Sequence, residues 1–114
     1  MIDNVKKSGA GSIGLTMYPP YLKGAFQNKS LYPYGYQNGG DWTWFDGRMI
    51  IALAENGFIK EAYEQTKPMF DRVIQNKGFF EWYTVDNKPK GSAIFKGSAG
   101  VLYDIIFTFE NYTK

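Results

Sequence analysis

Arg48 to Gly78, RMIIALAENGFIKEAYEQTKPMFDRVIQNKG, is the stretch that decides how this chain folds. The run from Arg48 to Glu55 is apolar nearly all round, the pattern of a buried helix, and Asn56 with Gly57 supplies a stop signal. Beyond it, Ile59, Ala62, Tyr63, Thr66, Phe70, Val73 and Ile74 recur at helical spacing. That spacing predicts an amphipathic helix ending at Asn76, Lys77 and Gly78. Pro68 falls inside it and should kink or divide it, because the ring removes one hydrogen bond and crowds the preceding turn.

Downstream, FFEWYTV (79–85) followed by DNKPKG (86–91) reads as a short strand and a turn. Alternation would put Phe79, Glu81 and Tyr83 on one face, with Phe80 and Trp82 on the other. From Ser98 to Phe109, the positions Val101, Leu102, Ile105, Ile106 and Phe109 form the apolar stripe of a last helix. Upstream, Pro19, Pro20, Pro33, Gly39 and Gly40 break any helical period. The expected organisation is one mainly α domain, loop-rich over 1–47 and helical over 48–114, with long aromatic loops and a short β-hairpin. The longest apolar run, Met49 to Ala54, is too short to cross a bilayer, and the first residues lack the apolar stretch of a signal peptide. No membrane partner is therefore expected, and compartment is left open.

Composition narrows the chemistry. The chain has no Cys and no His, which removes disulfides, thiolate metal sites, the commonest zinc ligand and the commonest general base. No metal or cofactor is expected, and proton transfer would fall to a carboxylate, a lysine or a tyrosine. A net charge of +2 with scattered lysines argues against nucleic acid. Nine Tyr, nine Phe and three Trp make up 18% of the residues, more than a small core needs, and flat amphipathic rings are what sugar-binding surfaces are built from.

The order of motifs PYGYQNGGDWTWFDGRMIIAL, an amphipathic helix, then GFFEWYTVDNKPKGSAIFKGSAGVLYDII resembles the C-terminal end of six-hairpin, (α/α)6-toroid glycosidases, over about Tyr18 to Ile106. That group includes disaccharide phosphorylases of the cellobiose phosphorylase type, amylo-α-1,6-glucosidase-like proteins, and inverting α-glucosidases of the processing-glucosidase and trehalase type. The resemblance implies a sector of such a toroid, a glucoside-type oligosaccharide or disaccharide as substrate, and Glu81 as general base. It also places the partner acid in an earlier hairpin that this sequence does not contain. Inverting hydrolysis needs two carboxyls about 6.5–9.5 Å apart, so the chain is expected to be inert or nearly so by itself. In the phosphorylase branch phosphate replaces water, and with only Arg48 and Arg72 as arginines a complete phosphate site is not expected.

Each candidate residue has a plainer reading beside the functional one. Glu81 lies between aromatic residues, where a catalytic carboxylate would be tuned by burial; otherwise it is a solvent-facing Glu on an edge strand. Tyr36, Gln37, Asn38, Asp41, Trp42 and Trp44, with Trp82, form a candidate sugar subsite, or else a Gly-Gly turn and the core of the first helix. Asp41 and Asp46 are alternative acid or base carboxylates, or N-caps of the Arg48 helix, with capping favoured for Asp46. Lys96, Gly97 and Ser98 precede the last helix, whose N–H groups suit an anion, though capping by Ser98 is the plainer reading. Helix faces that would be covered in a whole toroid are expected to drive homo-oligomers here.

Overall fold

The computed structural model describes residues 14–113. Among them the chain runs β1 (Asp41–Trp42), α1 (Thr43–Glu55), α2 (Ile59–Asn76), β2 (Trp82–Tyr83), β3 (Pro89–Lys90) and α3 (Lys96–Thr113). It is mainly helical, with one small antiparallel sheet in the order β1-β2-β3. Residues 1–13 of the expected loop-rich stretch lie outside the described part.

The first helix starts at Thr43, well before the expected Arg48. Pairing of Asp41 with Tyr83 and of Trp42 with Trp82 fixes the backbone at the entry, so TWFDG can wind although it carries a Gly and two bulky aromatic residues. Gly47 then lies where a β-carbon would strike Val101, which lets α1 and α3 approach closely. The C-terminal stop falls at Asn56, as the Asn-Gly signal predicts. α2 spans Ile59–Asn76 without a break and ends on Lys77 in the left-handed region, at φ 53°. Pro68 does not divide it, because Ala62 on one side and Met69 on the other are both buried against the same core.

α1 packs against both α2 and α3. The core consists of Ile50, Ala54, Ala62, Met69, Val101, Leu102 and Ile105, flanked by Ile51, Leu53, Ile59, Phe70, Val73 and Phe109. Two expectations about faces need correction. The side of α2 turned inward is centred on Ala62, Met69 and Arg72, while Tyr63 and Ile74 are 70% and 73% exposed. α1 is not buried all round either: Arg48, Ala52 and Glu55 face solvent, because only two helices cover it. On α3, Val101, Leu102 and Ile105 are buried, and Ile106 lies at the edge of the stripe.

The predicted hairpin is present, with Trp82 opposite Lys90 and Tyr83 opposite Pro89. Both Trp82 and Tyr83 are buried, so each face of the strand is covered at this point. The following segment runs back beside the residues before β2: Phe79 N–H donates to Ala93 O, Phe95 N–H to Phe79 O, and Glu81 N–H to Ser92 O. Upstream, Trp42 N–H donates to Gly14 O and Thr16 N–H to Gly40 O, which lays residues 14–16 along β1.

Candidate functional site

One guanidinium organises the ground beneath the sheet. Arg72, in the last turns of α2, is 1% exposed. Its Nη2 lies 2.7 Å from Asp41 Oδ2 on β1, its Nη1 lies 3.6 Å from Asp46 Oδ2 in the first turn of α1, and its Nε donates to Asn87 Oδ1 at 2.7 Å. The guanidinium also stacks 4.2 Å from the centre of the Tyr83 ring. A planar fork with several donors is what such a junction requires, since it can serve several acceptors at once. Burial opposes the charge on Arg72, but hydrogen-bonded Asp41 and nearby Asp46 outweigh it and hold its pKa above the ordinary arginine value. Tyr83 is pushed up as well, chiefly by burial and further by Asp41, against the pull of Arg72 and a hydrogen bond with Asn76.

Asp46 therefore sits inside the first helical turn with its carboxylate on Arg72, and does not cap the helix; Trp42 is the N-cap residue and makes no side-chain cap. Asp41 and Asp46 are both fully buried in this cluster, closed to a substrate in the acid or base role. Ser98 is likewise not a cap. The helix begins at Lys96, and the Ser98 hydroxyl donates to Phe80 O at 2.8 Å, tying α3 to the segment before β2.

Asn38 is also buried. Its amide donates to Tyr21 O and Leu31 O, both at 3.0 Å, and its Oδ1 accepts from Tyr21 N–H at 2.8 Å, so the side chain is engaged with loop backbone. Tyr36 is half-buried with a positive φ of 40°. That conformation, uncommon for a residue with a β-carbon, aims its carbonyl at Trp42 Nε1–H (2.9 Å) and Gly40 N–H (3.0 Å). Its ring meets Trp42 and Trp82 edge-on, with centroids 5.0 and 6.1 Å apart.

What these supports present is an aromatic concavity of about 260 Å³ lined by Gln37, Trp42, Trp44, Phe45, Phe95 and Gly97. Trp42 is 6% exposed and forms its floor, while Trp44 and Phe45 are 42% and 40% exposed. Trp44 meets Phe45 edge-on at 5.1 Å, Trp42 meets Phe95 at 6.4 Å, and Arg48 lies over the Trp44 ring at 5.6 Å. Of the sequence-derived subsite, Gln37, Trp42 and Trp44 come together here. Tyr36 and Trp82 stand behind them, and Asn38 and Asp41 are turned into the fold.

Glu81 is half-buried and is not among the residues lining that concavity. Its side chain folds over Gly91, leaving no room there for a β-carbon. Among the described residues no hydrogen bond or ion pair engages its carboxylate. The residues that sequence reasoning missed are Arg72 as an organiser, Asn87 as its partner, and Phe95 as a wall of the concavity. Arg72 lies three residues after Met69 on the core side of α2, a face that the apolar spacing of the sequence did not mark. Among the described residues no helix is long and apolar enough to cross a membrane. No family model, curated protein or solved structure matches this chain.

Proposed function

We propose that this chain is a carbohydrate-binding sector of a helical-toroid, inverting glycoside hydrolase or related phosphorylase acting on glucoside-type sugars. The observation that carries the reading is the concavity in which two half-exposed rings, Trp44 and Phe45, stand beside the Gln37 amide over a Trp42 floor. Apolar faces for the carbon skeleton of a sugar ring, with a polar group at the edge for its hydroxyls, are the features saccharide recognition requires. Tryptophan fluorescence titrated with neutral gluco-oligosaccharides is the test. The native chain should respond saturably and Trp44→Ala should lose most of that response; equal responses in the two would reject the site.

The resemblance makes Glu81 the general base of this reading, acting on a sugar that extends past the aromatic concavity, which Glu81 does not line, with the partner acid supplied from outside these residues. Asp41 and Asp46 are excluded from that role by their burial against Arg72. The isolated chain is thus expected to bind without turnover. Hydrolysis by the pure chain that disappears in Glu81→Gln would contradict the assignment of an external acid.

A second reading, as a self-associating sector, has one observation in its favour. On α3, Tyr103, Ile106 and Phe107 are exposed, and Phe107 and Tyr112 line a concavity of about 390 Å³ together with Arg48 and Ile51 of α1. Large apolar side chains left exposed on neighbouring turns of a helix favour association. Static light scattering should then give a multiple of the chain mass, lowered by Phe107→Ser.

A further inference from the structure

Residues 14–40 carry two lysines, Lys23 and Lys29, and no acidic residue. Both lysines line a concavity of about 330 Å³ together with Phe26, Asn28, Leu31 and Tyr32. Neither pairs with a carboxylate among the described residues. The walls thus hold two lysines and two aromatic rings, whereas no residue lining the Trp44 concavity is charged.

This concavity belongs to a closed and internally bonded loop. The Asn38 side chain holds its two ends, Tyr21 and Leu31, through three hydrogen bonds. Between them, Ala25 N–H donates to Leu22 O across a turn whose third residue, Gly24, has φ 89°, where a side chain would be strained. A second turn closes from Leu31 N–H to Asn28 O, and Asn28 Oδ1 accepts from the N–H and hydroxyl of Ser30. Tyr21 packs edge-on against Phe26 at 5.3 Å. A loop with joined ends and its own side-chain packing is a compact surface unit of a kind that often carries function.

A ligand matching this lining has a flat, partly apolar body for the rings and a negative group for the ammonium ions. An inorganic anion would leave Phe26 and Tyr32 unused, and a neutral sugar, whose hydroxyls can accept from Lys23 and Lys29, would leave their charge uncompensated. We propose that the Tyr21–Leu31 loop binds an anionic saccharide unit, a sugar ring bearing a carboxylate or a sulfate. The inference rests on the saccharide reading given above, and the two sites are joined through consecutive residues: Gln37 lines the aromatic concavity and Asn38 anchors this loop. It extends the substrate class from neutral glucosides to acidic oligosaccharides.

The test is calorimetric titration of the full chain with a glucuronate-ended oligosaccharide, a sulfated one, their neutral counterpart and sodium sulfate. At least one acidic sugar should bind about tenfold more tightly than the neutral one, the scale of a few exposed charge contacts, and the margin should shrink as salt rises. The comparison of glucuronate with sulfate identifies the anionic group. Lys23→Gln with Lys29→Gln should erase the margin while leaving neutral-sugar binding unchanged, and Phe26→Ala should weaken the acidic sugar alone. Equal affinity for acidic and neutral sugars, a margin that survives the double lysine variant, or sodium sulfate binding as tightly as the acidic sugar would each overturn the proposal. Acidic sugar bound through the loop with no neutral-sugar response in Trp44 fluorescence would instead reject the aromatic site and leave this one standing.

Discussion

The helical part and the loop part of this molecule are held by different means. Residues 43–113 close around a contiguous apolar cluster contributed by three helices. Residues 14–42 have almost no regular structure, and single polar side chains hold them in place: Asn38 closes the Tyr21–Leu31 loop, and Arg72 pins β1 from below. Distributed packing degrades gradually under substitution. A polar clip fails all at once, because removing it leaves its partners buried and unsatisfied.

That contrast is sharpest at Arg72. Arg72→Ala leaves Asp41 and Asp46 buried without their cation, and chemical denaturation should show a loss of about 3–5 kcal/mol, enough to unfold many small domains. Arg72→Lys should recover only part of it, since an ammonium cannot reach Asp41, Asp46 and Asn87 together or stack on Tyr83. A loss below about 1 kcal/mol, the range of an exposed pair, would remove the distinction between clip and packing.

Within the helical part, Ile105→Ala should cost about 2–5 kcal/mol and lower protection from hydrogen exchange throughout the helices, because the cavity lies in the shared core. Asn38→Ala should cost about 1–3 kcal/mol and act locally. Amides of residues 21–31 would exchange faster while those of α1 and α2 keep their protection. Equal spread of the two effects would mean that the loops and helices form one cooperative unit.

Alkaline titration probes the same junction. The pKa of Tyr83 is raised in the fold, so the folded state holds its proton more tightly than the unfolded chain does. This contribution to stability is complete below the ordinary tyrosine pKa of about 10 and is lost as pH rises through the folded value. Tyrosinate absorbance should show a late-ionising group, absent in Tyr83→Phe. At the small end, Lys67→Ala removes an exposed helical pair with Asp71 and should change stability by no more than about 0.5 kcal/mol.

These two regimes also explain what was legible in the sequence. Helices announce themselves through repeated apolar spacing, so α2 and α3 were placed closely and the Asn-Gly and Asn-Lys-Gly stops fell where expected. The hairpin was marked by aromatic residues next to Asp-Asn-Lys-Pro. The phase of α2 was less readable, because Tyr63 and Ile74 are apolar yet exposed while Arg72 is charged yet buried. The start of α1 was hidden by Gly47 and by two bulky aromatics, whose helical state depends on pairing with a strand some forty positions later. Polar clips have no period. Nothing near Asn38 says that its amide will meet Tyr21 and Leu31, so it looked as suited to sugar hydroxyls as Gln37 did. The aromatic concavity was half legible: QNGGDWTW drew attention to Gln37, Trp42 and Trp44, but Phe95 arrives from a distant segment brought alongside by hydrogen bonds to Phe79 and Glu81.

The most direct measurement of the central claim is an amide correlation NMR spectrum of the labelled chain, recorded as a neutral gluco-oligosaccharide is added. Saccharide bound at the aromatic concavity should shift Gln37, Trp44, Phe45, Phe95, Gly97 and the Trp44 indole N–H, and leave the outer faces of α2 and α3 unmoved. An unchanged spectrum at high sugar concentration, or shifts gathered around Tyr103 and Phe107 of α3 instead, would contradict it.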